Sequence, residues 1–363
     1  MGKRIISIGL LLLLSLSLNA KAATLESTVH SVVERHMAEK QIPGMSVAII
    51  EGGELVYAGA FGAASLEFDI PAAPDTVYPI SSVSKVLAGL LAVRLVDEGR
   101  LNLDATLDEF FDDVPADKQG ITVRHLLQHT HGLEDFYRSD QYALDTGRSA
   151  GTSTADDIAR WTLDRPAEFP PGSNWQYSLT GYVLLTRVLE ISGGTDYETL
   201  VKRYVLEPTG IAGGFGGSEV LVSGRNPVLY KLADDELVAH IIDFPRLTWS
   251  AGGFNTSAVE LAKLFQCLSG DKFIDNDMKR ELWARPALGN GKLAHYALGW
   301  FSYETSQNRW VVGHEGGGAS WVIYYPDLDV AVIALSNMSG ARADSLPYEI
   351  AREAMAAGLL PSS

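Results

Sequence analysis

Strand-like sequence lies at the two ends of this chain and helical sequence lies between, and this placement most constrains the fold. Near the start, Met45-Ser-Val-Ala-Ile-Ile50 and Leu55-Val-Tyr-Ala-Gly-Ala-Phe61 are joined through Gly52-Gly53, the pattern of a β-hairpin. Near the end come Tyr296–Tyr303, Trp310–Val312, Trp321–Tyr325 and Val330–Leu335, again with strand character. From about 100 to 245 the apolar positions recur mostly at helical spacing, as in Val123–His129, Ala155–Trp161, Gly181–Glu190 and Tyr197–Tyr204. Isolated hairpins are not stable, so the two ends are expected to share one antiparallel sheet. The expected class is α+β, with an inserted, mostly helical lobe. The α/β lobe would take about 23–100 and 246–363, and the helical lobe about 101–245. Helices are expected over 25–37, 82–98, 256–268 and 347–357.

The first residues read separately. Lys3 and Arg4 precede an apolar stretch, Ile5–Leu18, and then Asn19-Ala-Lys-Ala22, the layout of a signal peptide over 1–22 with cleavage after Ala22. Export to the periplasm or beyond is therefore expected, with no membrane anchor left after cleavage. The chain has 363 residues and a net charge of −16, and loss of Lys3, Arg4 and Lys21 would make it more acidic. Such a charge argues against nucleic acid as a partner. Cys267 is the single cysteine, so no internal disulfide can form, and its apolar setting reads as a buried filler.

Within the expected helix 82–98, Ser82 and Lys85 stand three apart and face one side. An apolar run, Val86–Val93, follows them. A lysine buried there would lose its charge more readily and could act as base to the serine hydroxyl, near a helix N-terminus that favours developing negative charge. The same four residues also suit a plain N-cap followed by a solvated lysine. Two further segments carry chemistry. Tyr177 follows a Pro170-Pro-Gly172 turn and precedes an apolar helix, where a nearby ammonium would lower its pKa and make it a base. Val312-Gly-His-Glu-Gly-Gly-Gly-Ala-Ser-Trp321 sets His314 and small residues between two strands, where substrate can approach closely.

In order, Ser82-x-x-Lys85, Tyr177-Ser178 before Gly181-Tyr182, and His314-Glu-Gly316 resemble three motifs of the serine β-lactamase and penicillin-binding-protein superfamily. The nearer branch is the one related to class C enzymes and DD-peptidases. Ile42–Ala48, Ile121–Leu133, Ser250–Phe254 and Ala297–Trp300 resemble family segments too. The resemblance implies that Ser82 forms an acyl-enzyme, with Lys85 and Tyr177 moving its proton and either able to be the base. It implies an oxyanion hole of the Ser82 and Gly317 backbone N–H groups, with Gly316 and His314 on the substrate side and no cofactor or metal. The expected substrate is a small ester, an amide or a β-lactam, and the oligomeric state is left open.

Two positions depart from the family pattern. Leu179 stands where the family usually has asparagine, which removes a polar contact to the substrate's acyl side and favours a simpler ester. His314 stands where class C β-lactamases carry lysine; at its ordinary pKa it would be partly charged at neutral pH, making carboxylate recognition pH-dependent. An esterase or peptidase of small or D-amino-acid substrates is thus favoured over an efficient β-lactamase, and over a non-hydrolytic penicillin-binding sensor. Arg342 is a further candidate for carboxylate binding. His125, His129 and His131 cluster, with His125 and His129 spaced for one helical face, but no His-Glu-x-x-His is present to suggest zinc.

Overall fold

The computed structural model describes residues 2–138, 140–216 and 226–362, with side chains from residue 20 onward. Met1 and the side chains of the expected leader up to Asn19 lie outside the described residues. Helix α1, Gly2–Lys40, contains both the leader segment and the helix expected over 25–37. Among the described residues no helix is long and apolar enough to cross a membrane.

The expected α+β class is what the chain forms. A seven-stranded sheet runs in the order β3 (Ile70–Pro71), β2 (Glu54–Ser65), β1 (Gly44–Glu51), Val330–Ser336, Ser320–Tyr325, Trp310–Gly316 and Phe301–Glu304. Its named pairings are all antiparallel. The two ends of the chain meet where Met45–Glu51 pairs with Ser336–Val330.

Both faces of this sheet are covered, which explains why β1 and Val330–Ser336 are apolar without strict alternation. On one face Val29, Val32 and Val33 of α1 join Ile350 and Ala351 of helix Leu346–Ala356. On the other lies α2, Lys85–Asp97, which is buried nearly all round and forms the centre of the larger core. Side chains alternate along a strand, so Val312 faces α2 while Val311 faces α1. His314 and Gly316 consequently belong to the α2 side.

Three expectations need correction. Strand Tyr296–Tyr303 is shorter, because Tyr296–Trp300 is a loop fitted against α2. Gly299, at φ 82°, has no room for a Cβ beside the Lys85 carbonyl, and a Cβ on Gly89 would strike the Leu298 carbonyl. Helix α3 is only Val123–Leu127, so His125 and His129 do not share a helical face; His129 sits past its end at φ 57°. Cys267 is half-buried rather than enclosed. The stretch read as helix and loop also holds a polar hairpin, Leu229–Ala233 with Glu236–His240.

Candidate active site

Ser82 lies on a single 3-10 turn, Ser81–Ser84, that leads into α2. Ser81 adopts φ 48°, a left-handed backbone that is uncommon outside glycine and stores strain beside the nucleophile candidate. The turn is fixed from outside: the Ser84 hydroxyl accepts the Phe254 N–H at 3.2 Å and the Ile80 N–H donates to the Phe254 carbonyl at 2.9 Å. The Ser82 N–H is in the first turn, where no intrahelical acceptor exists.

Lys85 is completely buried. Its Nζ donates to Ser82 Oγ at 3.3 Å and to the Ala251 carbonyl at 2.7 Å. It also stands over the Tyr177 and Tyr182 rings, 4.8 and 5.0 Å from their centroids. Loss of hydration pulls its pKa down to about 7, against the opposing pull of Asp135 and Glu315. Near neutrality a large share of this amine is therefore uncharged, as the apolar run after Ser82 predicts.

Tyr177 reverses its expectation. Burial pushes the phenol up, not down, and the negative charges of Glu315 and Asp135 add to this while a hydrogen bond with Ser82 opposes it. The neighbouring Lys85 amine stands over its ring, 4.8 Å from the centroid, and is itself in large part uncharged near neutral pH. At rest Tyr177 is a neutral hydroxyl, able to pass a proton along but not to act as a standing phenolate.

His314 is also placed differently from its expectation. Its Nδ1 meets the Glu315 carbonyl at 2.6 Å, and a carbonyl only accepts, so Nδ1 carries the proton. Nε2 then accepts from the Tyr296 hydroxyl at 2.8 Å. Desolvation, and next the charge of Lys85, lower its pKa to about 3. His314 is thus a neutral, doubly engaged wall of the site, with no charge to offer a carboxylate at physiological pH.

Gly316 brings its strand against the Ser82 turn, since a Cβ there would collide with the Ile80 carbonyl. Gly317 follows at φ 59°, and its carbonyl accepts the Gly340 N–H at 2.9 Å. Leu179 opens helix Leu179–Gly193; it is half-buried and packs on the larger core, and its N–H donates to Asp135 Oδ2 at 3.2 Å. Arg342 is exposed, with φ 50°, and its N–H donates to the Gly318 carbonyl at 3.2 Å, at the rim of the same turn.

The structure therefore gathers Ser82, Lys85, Tyr177, Gly316, Gly317 and His314, the residues singled out by motif. It adds Asp135, Tyr296 and the Ala251 carbonyl, which sequence reasoning missed. Asp135 follows directly on a segment that carried a family signal, Ile121–Leu133, and a buried acid two residues on was its one available sign. Tyr296 was hidden by the strand reading, and a backbone carbonyl leaves no mark in sequence. The histidine cluster takes up other bonds: His125 Nδ1 accepts the Thr122 N–H at 3.1 Å, and His131 Nδ1 the Leu133 N–H at 2.9 Å.

Comparison with known proteins agrees with this arrangement. The Beta-lactamase family model matches residues 29–355. A penicillin-binding protein of Bacillus subtilis is 26% identical over 324 residues, which cover 83% of this chain and 69% of the relative. Esterase EstB of Burkholderia gladioli is 30% identical over 201 residues, 52% of this chain and 51% of the esterase. The octameric penicillin-binding protein homologue from Pyrococcus abyssi superposes with a TM-score of 0.76 at 27% identity, covering 92% of this chain and 77% of that one. With a match that spans nearly the whole described fold, this chain belongs to the Beta-lactamase family, within the serine hydrolases of the β-lactamase and penicillin-binding-protein superfamily.

Proposed function

We propose that the chain is an exported serine hydrolase that forms an acyl-enzyme on Ser82 and acts on small esters or on peptide and D-amino-acid amides. The observation that carries this is the discharged Lys85 amine in hydrogen-bond contact with Ser82 Oγ. As Ser82 Oγ attacks the substrate carbonyl, its proton passes to Lys85 Nζ and then, through the Tyr177 hydroxyl, to the departing alkoxide or amine. Water then attacks the ester on Ser82, losing its proton along the same groups in reverse and leaving the acid product. The N–H groups of Ser82 and Gly317 face the developing oxyanion, an interaction of roughly 3 kcal/mol in other hydrolases. Lys85 is the base in this scheme, because the phenol is held protonated by its surroundings.

The resemblance to an esterase and the apolar Leu179 favour esters over β-lactams. Export rests on the leader pattern; among the described residues the first of α1 in the apolar cluster against the sheet is Leu25, which lies beyond the expected cleavage after Ala22. N-terminal sequencing of the secreted protein should begin at Ala23.

The decisive experiment is a panel of short-chain p-nitrophenyl esters, a chromogenic cephalosporin and D-alanyl peptides, with mass detection and Ser82→Ala as control. Ester turnover abolished by the substitution is expected. Cephalosporin as the best substrate would make the chain a β-lactamase, and a persistent adduct without turnover would make it a penicillin-binding sensor. Leu179→Asn should raise amide and β-lactam turnover relative to ester turnover; an unchanged ratio removes Leu179 from substrate choice.

A further inference from the structure

His129 is a fully buried titratable side chain at the base of the site, and the chemistry above leaves it without a task. Its backbone is left-handed, φ 57°, in the turn that follows α3. For a residue with a Cβ this conformation is uncommon, and it persists only where surrounding contacts enforce it. Three of those contacts converge on one neighbour. The His129 carbonyl accepts the Gln176 N–H at 3.0 Å, and His129 Nδ1 accepts the Ser178 N–H at 3.2 Å. Between these two bonds its ring lies 4.4 Å from the Tyr177 ring, tilted by 39°. The residue before Tyr177, the residue after it and its own aromatic face are thus all set by His129.

The ring's chemistry suits this task. Accepting from Ser178 places the ring proton on Nε2, which is buried and finds no hydrogen-bond partner among the described residues. The His129 ring packs against the rings of Tyr182 and Tyr296, with centroids 4.9 and 4.7 Å from its own. Burial, and next the neighbouring Lys85, keep the imidazole uncharged, so Nδ1 stays an acceptor throughout the working pH range.

We propose that His129 is the positioning residue of the site: through its carbonyl, its Nδ1 and its ring face it holds the Tyr177 hydroxyl in reach of Ser82 and Lys85. The inference rests on the reading of Tyr177 as the group that relays the proton, and it assigns no proton transfer to His129 itself.

A double-mutant cycle tests it. His129→Gly removes ring and acceptor together at a φ that glycine adopts freely, and His129→Asn restores an acceptor in a residue tolerant of left-handed backbone. Each is made in the natural chain and in Tyr177→Phe, and kcat and KM are measured on a short-chain p-nitrophenyl ester. His129→Gly is expected to lower kcat about ten-fold or more with little change in KM, as a small misplacement of a catalytic group does. His129→Asn should regain most of that loss. In the Tyr177→Phe background, His129→Gly should change kcat by less than about two-fold, since nothing remains to be positioned. A second lesion, His129→Ala, carries the same expectation, so one variant that fails to fold does not decide the matter. Equal losses in both backgrounds, or full activity in His129→Gly, would overturn the inference alone. Full activity in Tyr177→Phe would overturn the reading of Tyr177 as well.

Discussion

The two proton-handling groups of this site are built in opposite ways. Lys85 belongs to a helix buried nearly all round, and glycine contacts lock that helix to the loop Tyr296–Trp300. Tyr177 belongs to a loop, and polar bonds hold that loop. Gly172 N–H donates to the Thr130 carbonyl at 2.8 Å, and Phe136 N–H donates to Thr180 Oγ1 at 2.9 Å. Asp135 then accepts at the first turn of the following helix. One half is placed by packing, which is insensitive to pH and salt; the other is placed by a few hydrogen bonds, to backbone carbonyls and to side chains. The difference teaches that damage to the packing around the first group should show as lost stability, and damage to the bonds around the second chiefly as altered rate, with at most a small loss of stability.

Lys85→Met separates these two currencies most sharply. It removes the base, so kcat should fall by about a hundredfold or more. Methionine fills an apolar space without needing hydration, so the thermal midpoint should hold or rise; a large drop in the midpoint would mean that the amine is part of the scaffold.

Gly89→Ala attacks the packed half directly. The new methyl would collide with the Leu298 carbonyl, and overpacking of this kind costs about 1–3 kcal/mol in denaturant unfolding. A neutral result would show that the loop gives way easily and that the contrast between the halves is false.

Asp135→Asn probes the polar half. The charged cap on helix Leu179–Gly193 is lost, worth about 1 kcal/mol or less by thermal melting. The charge of Asp135 raises the Lys85 pKa, so neutralising it should move the acid limb of the rate profile to lower pH. A profile that does not move would take Asp135 out of the electrostatics of the site.

The smallest effect concerns the natural protein. Ester turnover should rise with pH through about 7 as Lys85 loses its proton, with no further break near the ordinary histidine pKa, because His314 stays neutral down to about 3. Parallel profiles for a neutral ester and a carboxylate-bearing one should have the same shape; an acid-favoured profile for the second would show that His314 does titrate.

How much of this was legible depended on the range of the interaction. Ser82 and Lys85 are three residues apart on one buried helix, so their meeting followed from local spacing and an apolar run. The sheet was legible because β1 and Val330–Ser336 are apolar enough to demand burial on two faces. The protonation states were not legible. That of Tyr177 is set first by burial and then by Glu315 and Asp135, and that of His314 by its depth and by the charge of Lys85, all from other parts of the chain. The polar hairpin Leu229–Ala233 and Glu236–His240 escaped for a different reason, since half-exposed strands lack a clear apolar alternation.

The pairing of Met45–Glu51 with Val330–Ser336 has a consequence in time as well as in space. A growing chain presents Ser82 and Lys85 early, but the strand that lays Gly316 against the Ser82 turn comes only near its end. The central sheet cannot close before then, and loop closure over so long a span is slow. Ribosomal synthesis therefore delivers the nucleophile long before the wall it works against. The site is complete only once strand Trp310–Gly316 has been made and laid against the Ser82 turn.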